Sequence, residues 1–334
     1  MKNISKNTIF VSIILLLMIG IFFVQYKIRA VDSNKVAVNL KPSDQGIVMG
    51  VKDTNNDINI SLPKINDIVV KKNPQKKDNI KNPLVYAKNI ILMDKATGYI
   101  LYEKNAYDAV SIASTTKIMT AVIVLENYNL NEVVTISQNA ATQIGSDINL
   151  RTDEKITVKN LLYALLVKSG NDAAMALAEH MTKGKEEFVR RMNEKAKFLG
   201  LKNTNYQDPA GLDDAGLSSA YDLAVLTSYA LEKQTFSDIV QTANYTINSA
   251  DGKLAHELET SNRLIKSDEP LFYQPAVGVK TGFTPPAGHC FVSAAKKDNN
   301  EIIGVVLNTN ESTVDASAKE SRKLLIWGFD SFDF

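Results

Sequence analysis

Three short motifs follow one another along this chain, and together they hold the residue types needed for acyl transfer. They are Ser114-Thr115-Thr116-Lys117, Ser169-Gly170-Asn171 and Lys280-Thr281-Gly282. A free serine hydroxyl is a weak nucleophile and needs a base within hydrogen-bond reach. The first motif offers a serine and a lysine, the second a further hydroxyl and an amide, and the third a second cation. The set predicts a serine nucleophile that is activated by lysine, with no part for histidine.

The predicted base must have a lowered pKa. An ordinary lysine has a pKa of about 10.4 and is protonated at neutral pH. Burial and a second nearby cation both disfavour the ammonium form. Lys117 lies in an apolar segment, and Lys280 is the second cation if the fold brings it close. We expect Ser169 to relay a proton to the leaving amine, Asn171 to hold a substrate amide, and Lys280 with Thr281 to bind a carboxylate.

Sequence context separates the first motif from two other Ser-x-x-Lys matches, Ser61 to Lys64 and Ser293 to Lys296. Serine and lysine at positions i and i+3 face each other only on a helix. The first match contains Pro63 in a polar stretch, and the second ends a β-like run. Only Ser114 opens a helical segment, which is apolar nearly all round from Lys117 onward, as expected of a buried helix. The helix dipole favours developing negative charge at its first turn.

The composition of the 334-residue chain restricts its functional class. Hydrophobic residues make up 45% of it, enough for a substantial core in one or two domains. A net charge of +1 lacks the excess of positive charge that is typical of proteins that bind nucleic acid. The single cysteine excludes internal disulfides, and the three histidines form no zinc-peptidase motif. We therefore predict neither a metal nor a cofactor.

Two segments are predicted to precede the folded domain. Residues 1–30 are predicted to be an N-terminal membrane anchor or a signal sequence, because an apolar run extends from Ile9 to Val24. We favour a retained anchor, since no clean cleavage site follows; either outcome exports the rest of the chain. Residues 31–83 are rich in Lys, Asn and Asp and are predicted to be a disordered tether. An alternative is that its basic end binds anionic wall polymer or lipid.

The remaining residues, 84–334, are predicted to form one domain with an α+β fold. The expected elements in chain order are a β-hairpin over Ile90–Tyr102, a mainly helical middle over 114–231, strands within Ala276–Leu307 and a last helix over Val314–Trp327. This order favours an antiparallel sheet that joins both ends of the domain. A strand edge with Lys280 would then face the helix start at Ser114.

Local signals place the other motifs. Thr157 and Ser219 are expected to cap helices. The helix that follows Thr157 is expected to stop at the second motif, because Gly170 and Asn171 suit a helix C-terminus or a tight loop. The third motif is expected at a strand end, where Gly282 lets the strand approach a ligand closely.

The motifs, in this order, resemble those of the penicillin-binding serine acyltransferases, the superfamily that includes the serine β-lactamases. Longer segments narrow the resemblance to the low-molecular-weight D-alanyl-D-alanine carboxypeptidases. These segments are Ala113–Ala121, Ser169–Asp172, Ser261–Leu264, Lys280–Thr284 and Ala287–Cys290. The resemblance covers about Val85 to Phe334 and implies a β-lactamase/transpeptidase-like fold.

The resemblance also implies a reaction. Ser114 would be acylated by the penultimate D-Ala of a peptidoglycan stem peptide, and water would release the shortened stem. Lys117 would be the base, and Ser169 and Asn171 would complete the catalytic centre. β-Lactam antibiotics would be covalent inhibitors of the same serine.

On the substrate side, the resemblance implies that Lys280 and Thr281 hold the terminal carboxylate. The oxyanion hole would be formed by the backbone N–H groups of Ser114 and Phe283, and one such donor contributes about 3 kcal/mol to lowering the barrier. Gly282 lies between these residues, so we count Lys280, Thr281, Gly282 and Phe283 as the substrate-binding set.

The chain departs from the family pattern in three respects. Asp208-Pro209-Ala210-Gly211-Leu212 stands where many relatives have Asn-Pro-His-Gly-Leu, so any role of that histidine is absent. We assign no counterpart to the arginine that some relatives use near the substrate carboxylate. The N-terminal apolar run would replace the C-terminal anchor of other members.

Two alternative functions stay open. A β-lactamase would differ by fast deacylation, but the chain has no Glu-x-x-Leu-Asn element of the kind that class A enzymes use for the deacylating water. A membrane-tethered wall-binding or β-lactam-sensing module would be acylated without turnover. The chain has no recognisable cytoplasmic output domain, so the carboxypeptidase is favoured over both.

Overall fold

Apolar strands lie at both ends of the folded unit, and apolar helices lie between them. A computed structural model describes residues 71–309, 313 and 315–334 of the chain. Its strands are β1 (Gln75–Lys76), β2 (Asn89–Asp94), β3 (Ile100–Lys104), β4 (Val110–Ser111), β5 (Val133–Thr135), β6 (Lys155–Thr157), β7 (Leu217–Ser218), β8 (Asn244–Asn248), β9 (Ala255–Glu259), β10 (Ala276–Thr284), β11 (Gly288–Lys297), β12 (Asn300–Thr309) and β13 (Phe332–Asp333). Its helices are α1 (Lys117–Asn127), α2 (Gln138–Ala141), α3 (Val158–Tyr163), α4 (Asn171–Glu179), α5 (Gly184–Phe198), α6 (Ala220–Leu231), α7 (Gln234–Val240) and α8 (Ala316–Ser331).

A five-stranded antiparallel sheet joins the two ends of this unit, as predicted. Its strand order is β10-β11-β12-β2-β3, so the N-terminal hairpin lies beside the C-terminal strands. The hairpin pairs Leu92 with Tyr102, and β12 pairs Val305 with Ile91. β10, which carries the third motif, is at the edge of the sheet.

The sheet separates two hydrophobic clusters because side chains alternate along each strand. Ile91 and Met93 of β2 belong to the larger cluster, which includes the buried faces of α1, α4 and α6. Ile90 and Leu92 belong to the smaller cluster, together with residues of α8. At Gly328 of α8, an added Cβ atom would lie 2.6 Å from Leu92 Cδ2, so this helix lies very close to the sheet.

The helical middle confirms several local predictions. The first eight residues of α1, from Lys117 to Val124, are buried all round. Thr157 caps α3 by accepting a hydrogen bond from the Asn160 N–H, and Ser219 caps α6 in the same way. The sequence did not predict the three small sheets β4–β7, β5–β6 and β8–β9, because their strands are only two to five residues long.

The compact unit begins at Lys72, earlier than the boundary at residue 84 that the sequence suggested. β1 pairs with β13 and brings Lys76 opposite Phe332, and Trp327 Nε1 donates a hydrogen bond to the Lys81 carbonyl at 2.8 Å. The predicted anchor and the tether up to residue 70 lie outside the described residues. Within the part that the structure describes, no helix has both the length and the apolar character needed to cross a membrane.

Candidate active site

The nucleophile candidate lies in a 3-10 turn that leads into a buried helix. Ser114 belongs to the turn Ala113–Thr116, and α1 begins at Lys117. Ala113 has a φ of +47°, a left-handed conformation that is uncommon for a residue other than glycine. Lys117 is fully buried, and its Nζ atom is 2.9 Å from Ser114 Oγ. The first motif therefore has the nucleophile–base contact that the spacing predicted.

The surroundings of the Lys117 amine fit a neutral base. Nζ lies 2.8 Å from Asn171 Oδ1 and 2.8 Å from the Ala210 carbonyl oxygen. Both oxygens are acceptors only, whereas the Ser114 hydroxyl can donate. A neutral amine has two N–H groups for the carbonyl oxygens and one lone pair for the Ser114 proton. The geometry thus directs the lone pair of the base at the nucleophile.

The pKa of this amine is lowered, as predicted, by its burial and by one neighbouring cation. Burial is the main cause of the lowered pKa of Lys117, and the positive charge of Lys280 lowers it further. The carboxylates of Asp208 and Asp172 act in the opposite direction. Burial also lowers the pKa of Lys280, to about 7. The site therefore holds two lysines that change protonation state far below the ordinary lysine range.

The second motif ends one helix, as predicted, and the next helix begins within it. A π-helical turn over Ala164–Lys168 ends at Ser169, whose φ is +66°, and α4 begins at Asn171. Ser169 takes the left-handed conformation, not the glycine that follows it, because Gly170 is the N-cap of α4 with a negative φ. Ser169 Oγ forms none of the hydrogen bonds that link the other site groups in the described part of the chain.

The Asn171 side chain joins the base to a neighbouring loop. Its Oδ1 accepts from Lys117, while its Nδ2 donates to the Ile144 carbonyl at 2.6 Å. Gly145 has a φ of +90°, and an added Cβ atom there would lie 2.9 Å from Asn171 Nδ2. Each end of the amide forms one hydrogen bond within the protein, which leaves one lone pair of Oδ1 and one N–H of Nδ2 for the predicted contact with a substrate amide.

The third motif lies within β10, not at the end of a strand as expected. Lys280 is buried, and its Nζ donates to the Thr281 carbonyl at 2.8 Å. The Thr281 hydroxyl lies 2.5 Å from the hydroxyl of Ser261. Phe283 is 56% exposed, and its ring centroid lies 4.5 Å from that of His289. The strand therefore presents a buried cation, a pair of hydroxyls and an exposed ring.

Gly282 allows β10 to lie directly against the nucleophile turn. A Cβ atom added at Gly282 would lie 2.9 Å from the Ser114 nitrogen and 3.1 Å from the Ile112 carbonyl oxygen. These distances are too short for any side chain. The close approach predicted for this glycine is thus made to the backbone of the serine turn.

One part of the site was missed in the sequence, namely the loop Asp208–Asp213. Its carbonyl groups accept hydrogen bonds from side chains of α1: Ala210 from Lys117, and Pro209 from the Thr120 hydroxyl at 2.6 Å. Gly211 has a φ of +76° and packs on Ala113. The Asp-Pro-x-Gly pattern signals a turn. The sequence does not predict which side chain will donate a hydrogen bond to a given backbone carbonyl group.

The structure also separates the true motif from its decoy. Ser293 and Lys296 lie three residues apart on β11, so their side chains point to opposite faces of the sheet. Ser293 is buried and donates to the Gly304 carbonyl at 3.0 Å. The other match, Ser61 to Lys64, lies outside the described residues.

Structural comparison confirms the predicted fold. The crystal structure of the Streptomyces K15 DD-transpeptidase has 34% sequence identity and a TM-score of 0.70, and the match covers 75% of this chain and all of that one. The D-alanyl-D-alanine carboxypeptidase DacD from Francisella tularensis has 29% identity and a TM-score of 0.67, with 76% and 73% covered. The chain therefore has the β-lactamase/transpeptidase-like α+β fold.

Sequence comparison identifies the family. A family model described as D-alanyl-D-alanine carboxypeptidase matches residues 76–311. DacF of Bacillus subtilis, a D-alanyl-D-alanine carboxypeptidase, is 38% identical over 254 residues, which are 74% of this chain and 63% of that protein. The D-alanyl-D-alanine carboxypeptidase of Streptomyces sp. K15 is 33% identical over 267 residues, or 75% of this chain and 89% of that protein. The chain belongs to the D-alanyl-D-alanine carboxypeptidase family.

Proposed function

We propose that the protein is a serine D-alanyl-D-alanine carboxypeptidase that removes the terminal D-Ala from peptidoglycan stem peptides. The observation that carries this proposal is the geometry of the Lys117 amine. Its two carbonyl acceptors use both N–H groups of the neutral form, and its lone pair faces the Ser114 hydroxyl at 2.9 Å. Such a pair is what a serine acyltransferase needs in the absence of histidine.

The first half of the proposed reaction acylates the enzyme. The Ser114 proton passes to Lys117 while Oγ attacks the carbonyl carbon of the penultimate D-Ala. The peptide C–N bond then breaks, and the leaving amine of the terminal D-Ala takes up that proton from Lys117 through Ser169. In the second half, water attacks the ester: its oxygen bonds to the acyl carbon, the ester C–O bond breaks, and one proton of the water passes to Ser114 Oγ as the shortened stem leaves.

On the substrate side, Lys280 and Thr281 bind the terminal carboxylate. The lowered pKa of Lys280, about 7, means that this cation is only partly charged in the free enzyme at neutral pH. The carboxylate favours the ammonium form, so we expect substrate binding to raise the pKa of Lys280. Asn171 acts mainly through Lys117, whose amine it holds.

The oxyanion hole is proposed to consist of the backbone N–H groups of Ser114 and Phe283. The close approach of Gly282 to the Ser114 nitrogen supports this placement of the oxyanion hole, because it shows that the two backbone segments lie side by side. Donors fixed in position before the reaction stabilise the developing oxyanion without reorganisation.

We also propose that the catalytic unit works outside the cytoplasm. Its substrate class is found there, and the apolar run from Ile9 to Val24 suits an anchor in residues 1–30. The residues between this anchor and the compact unit that begins at Lys72 would act as a tether for the catalytic domain. β-Lactam antibiotics would acylate Ser114 as substrate mimics.

The proposal is tested by labelling with a fluorescent penicillin and by a D-Ala release assay. The wild type should be labelled and should release D-Ala from a peptide ending in D-Ala-D-Ala, whereas Ser114→Ala should do neither. Ser293→Ala is the matched control, because it removes the serine of the decoy motif and should keep both activities.

Other outcomes would favour the alternatives. Rapid turnover of nitrocefin in place of a persistent acyl-enzyme would indicate a β-lactamase. Stoichiometric labelling of Ser114 without D-Ala release would indicate a sensing or binding module. Absence of labelling in a folded wild type would reject the proposed acyl-enzyme.

A further inference from the structure

A carboxylate in the Asp208–Asp213 loop organises the backbone beside the catalytic lysine. Asp208 Oδ1 accepts hydrogen bonds from the N–H groups of Ala210 at 2.6 Å and Gly211 at 2.7 Å. Its Oδ2 accepts from the N–H of Asp213 at 2.7 Å. Charge-assisted hydrogen bonds of this kind are stronger than neutral ones. One side chain therefore fixes the path of the whole loop.

This loop is in contact with the nucleophile segment at three consecutive residues. Pro209 accepts from the Thr120 hydroxyl, Ala210 accepts from Lys117 Nζ, and Gly211 packs on the backbone of Ala113. At Gly211 an added Cβ atom would lie 2.0 Å from the Ala113 carbonyl oxygen, so the two backbones are in direct contact. A change in the loop is therefore transmitted to the lysine amine and to the residue that precedes the serine.

The same carboxylate contributes to the electric field at the amine. Three charged groups face Lys117: Lys280 from β10, Asp172 from α4 and Asp208 from the loop. Lys280 lowers the pKa of Lys117, and the two carboxylates raise it. Asp172 is buried and accepts from the N–H groups of Ile148 and Leu150, so its charge is also needed for another loop. Asp208 is the acidic residue whose loop bonds directly to the amine.

We propose that Asp208 is a positioning residue for the catalytic base. It holds the Ala210 carbonyl on Lys117 Nζ, and its negative charge opposes the effect of Lys280, so that it raises the pH at which the base becomes active. This role rests on the proposed function, because it concerns the deprotonation of the same lysine.

The test is the pH dependence of the acylation rate with a fluorescent penicillin. Asp208→Asn keeps an oxygen that can accept from the Ala210 and Gly211 N–H groups but removes the charge. Without the carboxylate the neutral amine is favoured, so the acid limb of the profile should move to lower pH by at least about 0.5 unit. A merely structural role would lower the rate at every pH and leave the limb where it is.

Two controls separate charge from loop geometry. Asp213→Asn changes a carboxylate of the same loop that bonds only the Ala215 N–H, at 3.0 Å, and should leave the limb unchanged. Asp208→Glu keeps the charge but displaces the carboxylate, and should lower the rate without the acid shift. If Asp208→Asn does not fold, Asp208→Ser removes the same charge and keeps a turn-forming oxygen.

The outcomes distinguish this inference from the proposed function. A wild type that is not labelled would reject the acyl-enzyme itself. If the wild type is labelled, two results would overturn the role of Asp208 alone. The acid limb could keep its wild-type position in Asp208→Asn and Asp208→Ser, or it could move by the same amount in Asp213→Asn.

Discussion

At the residue scale, the candidate site contains two buried lysines for which we propose different roles. Lys117 and Lys280 are almost fully removed from water, and burial disfavours the charged form of each. Lys117 is additionally exposed to the positive charge of Lys280, and its lone pair has a proton donor in Ser114. Because the Lys117 amine faces Ser114, we propose that Lys117 acts as the neutral base and that Lys280 acts as the cation for a substrate carboxylate.

This division of roles predicts a bell-shaped pH profile of kcat/KM for D-Ala release. Activity should rise with pH as Lys117 loses its proton, and should fall near pH 7 as Lys280 loses its own in the free enzyme. Lys280→Arg keeps the charge at every accessible pH, because arginine is not deprotonated in proteins. The alkaline limb should therefore disappear in this variant even if the maximal rate is lower. An alkaline limb of unchanged position in Lys280→Arg would contradict the assignment.

At the element scale, the sequence predicted the helices, strands and caps that follow from side-chain patterns. It did not predict the parts of the site that are formed by backbone atoms. The burial of α1, the hairpin of β2 and β3, and the caps at Thr157 and Ser219 all follow from side-chain patterns. The left-handed Ser169 and the carbonyl oxygen of Ala210 do not, since their conformation and partners are set by tertiary contacts. Spacing therefore predicted the contact between Ser114 and Lys117, but not the loop whose carbonyl group holds the lysine.

The contact between β10 and the serine turn leads to a prediction for Gly282→Ala. The added Cβ would lie 2.9 Å from the Ser114 nitrogen, and backbone atoms on both sides cannot move away cheaply. We expect the strand and the turn to separate, which would displace an oxyanion-hole donor and reduce the acylation rate by about 100-fold or more.

The control for this variant is Gly252→Ala, in the turn between β8 and β9. Gly252 has a φ of +72° but no atom within 4 Å of an added Cβ, so the change adds backbone strain without a clash. It should lower the melting temperature somewhat and leave the acylation rate unchanged. A Gly282→Ala protein that is acylated as fast as the wild type would show that the close approach has no bearing on the oxyanion hole.

At the scale of the whole molecule, the two ends of the compact unit support each other. Strands β2 and β3 from its beginning complete the sheet formed by β10, β11 and β12 from its end. The order of predicted elements was sufficient to foresee this closure. It was not sufficient to foresee that β1 joins β13, because a two-residue strand within a Lys- and Asn-rich segment has no periodicity to detect.

The pairing of β1 with β13 predicts that a fragment beginning at Leu84 is less stable than one beginning at Lys72. The shorter fragment loses the β1–β13 pairing, the hydrogen bond from the Lys77 N–H to the Ser331 carbonyl and the one from Trp327 to Lys81. A net loss of about 1 to 2 kcal/mol would lower the melting temperature by several degrees.

The same truncation should leave the chemistry intact, since none of these contacts involves the elements that hold Ser114, Lys117 or Lys280. The acylation rate of the shorter fragment, measured well below its melting temperature, should match that of the longer one. Trp327→Phe in the longer fragment removes the indole donor, together with part of the ring that packs on Tyr102 and Phe332, and should reproduce a part of the stability loss. Equal melting temperatures of the two fragments would show that the segment from Lys72 to Pro83 adds no stability to the folded unit. The stable domain would then begin at residue 84, as the sequence suggested.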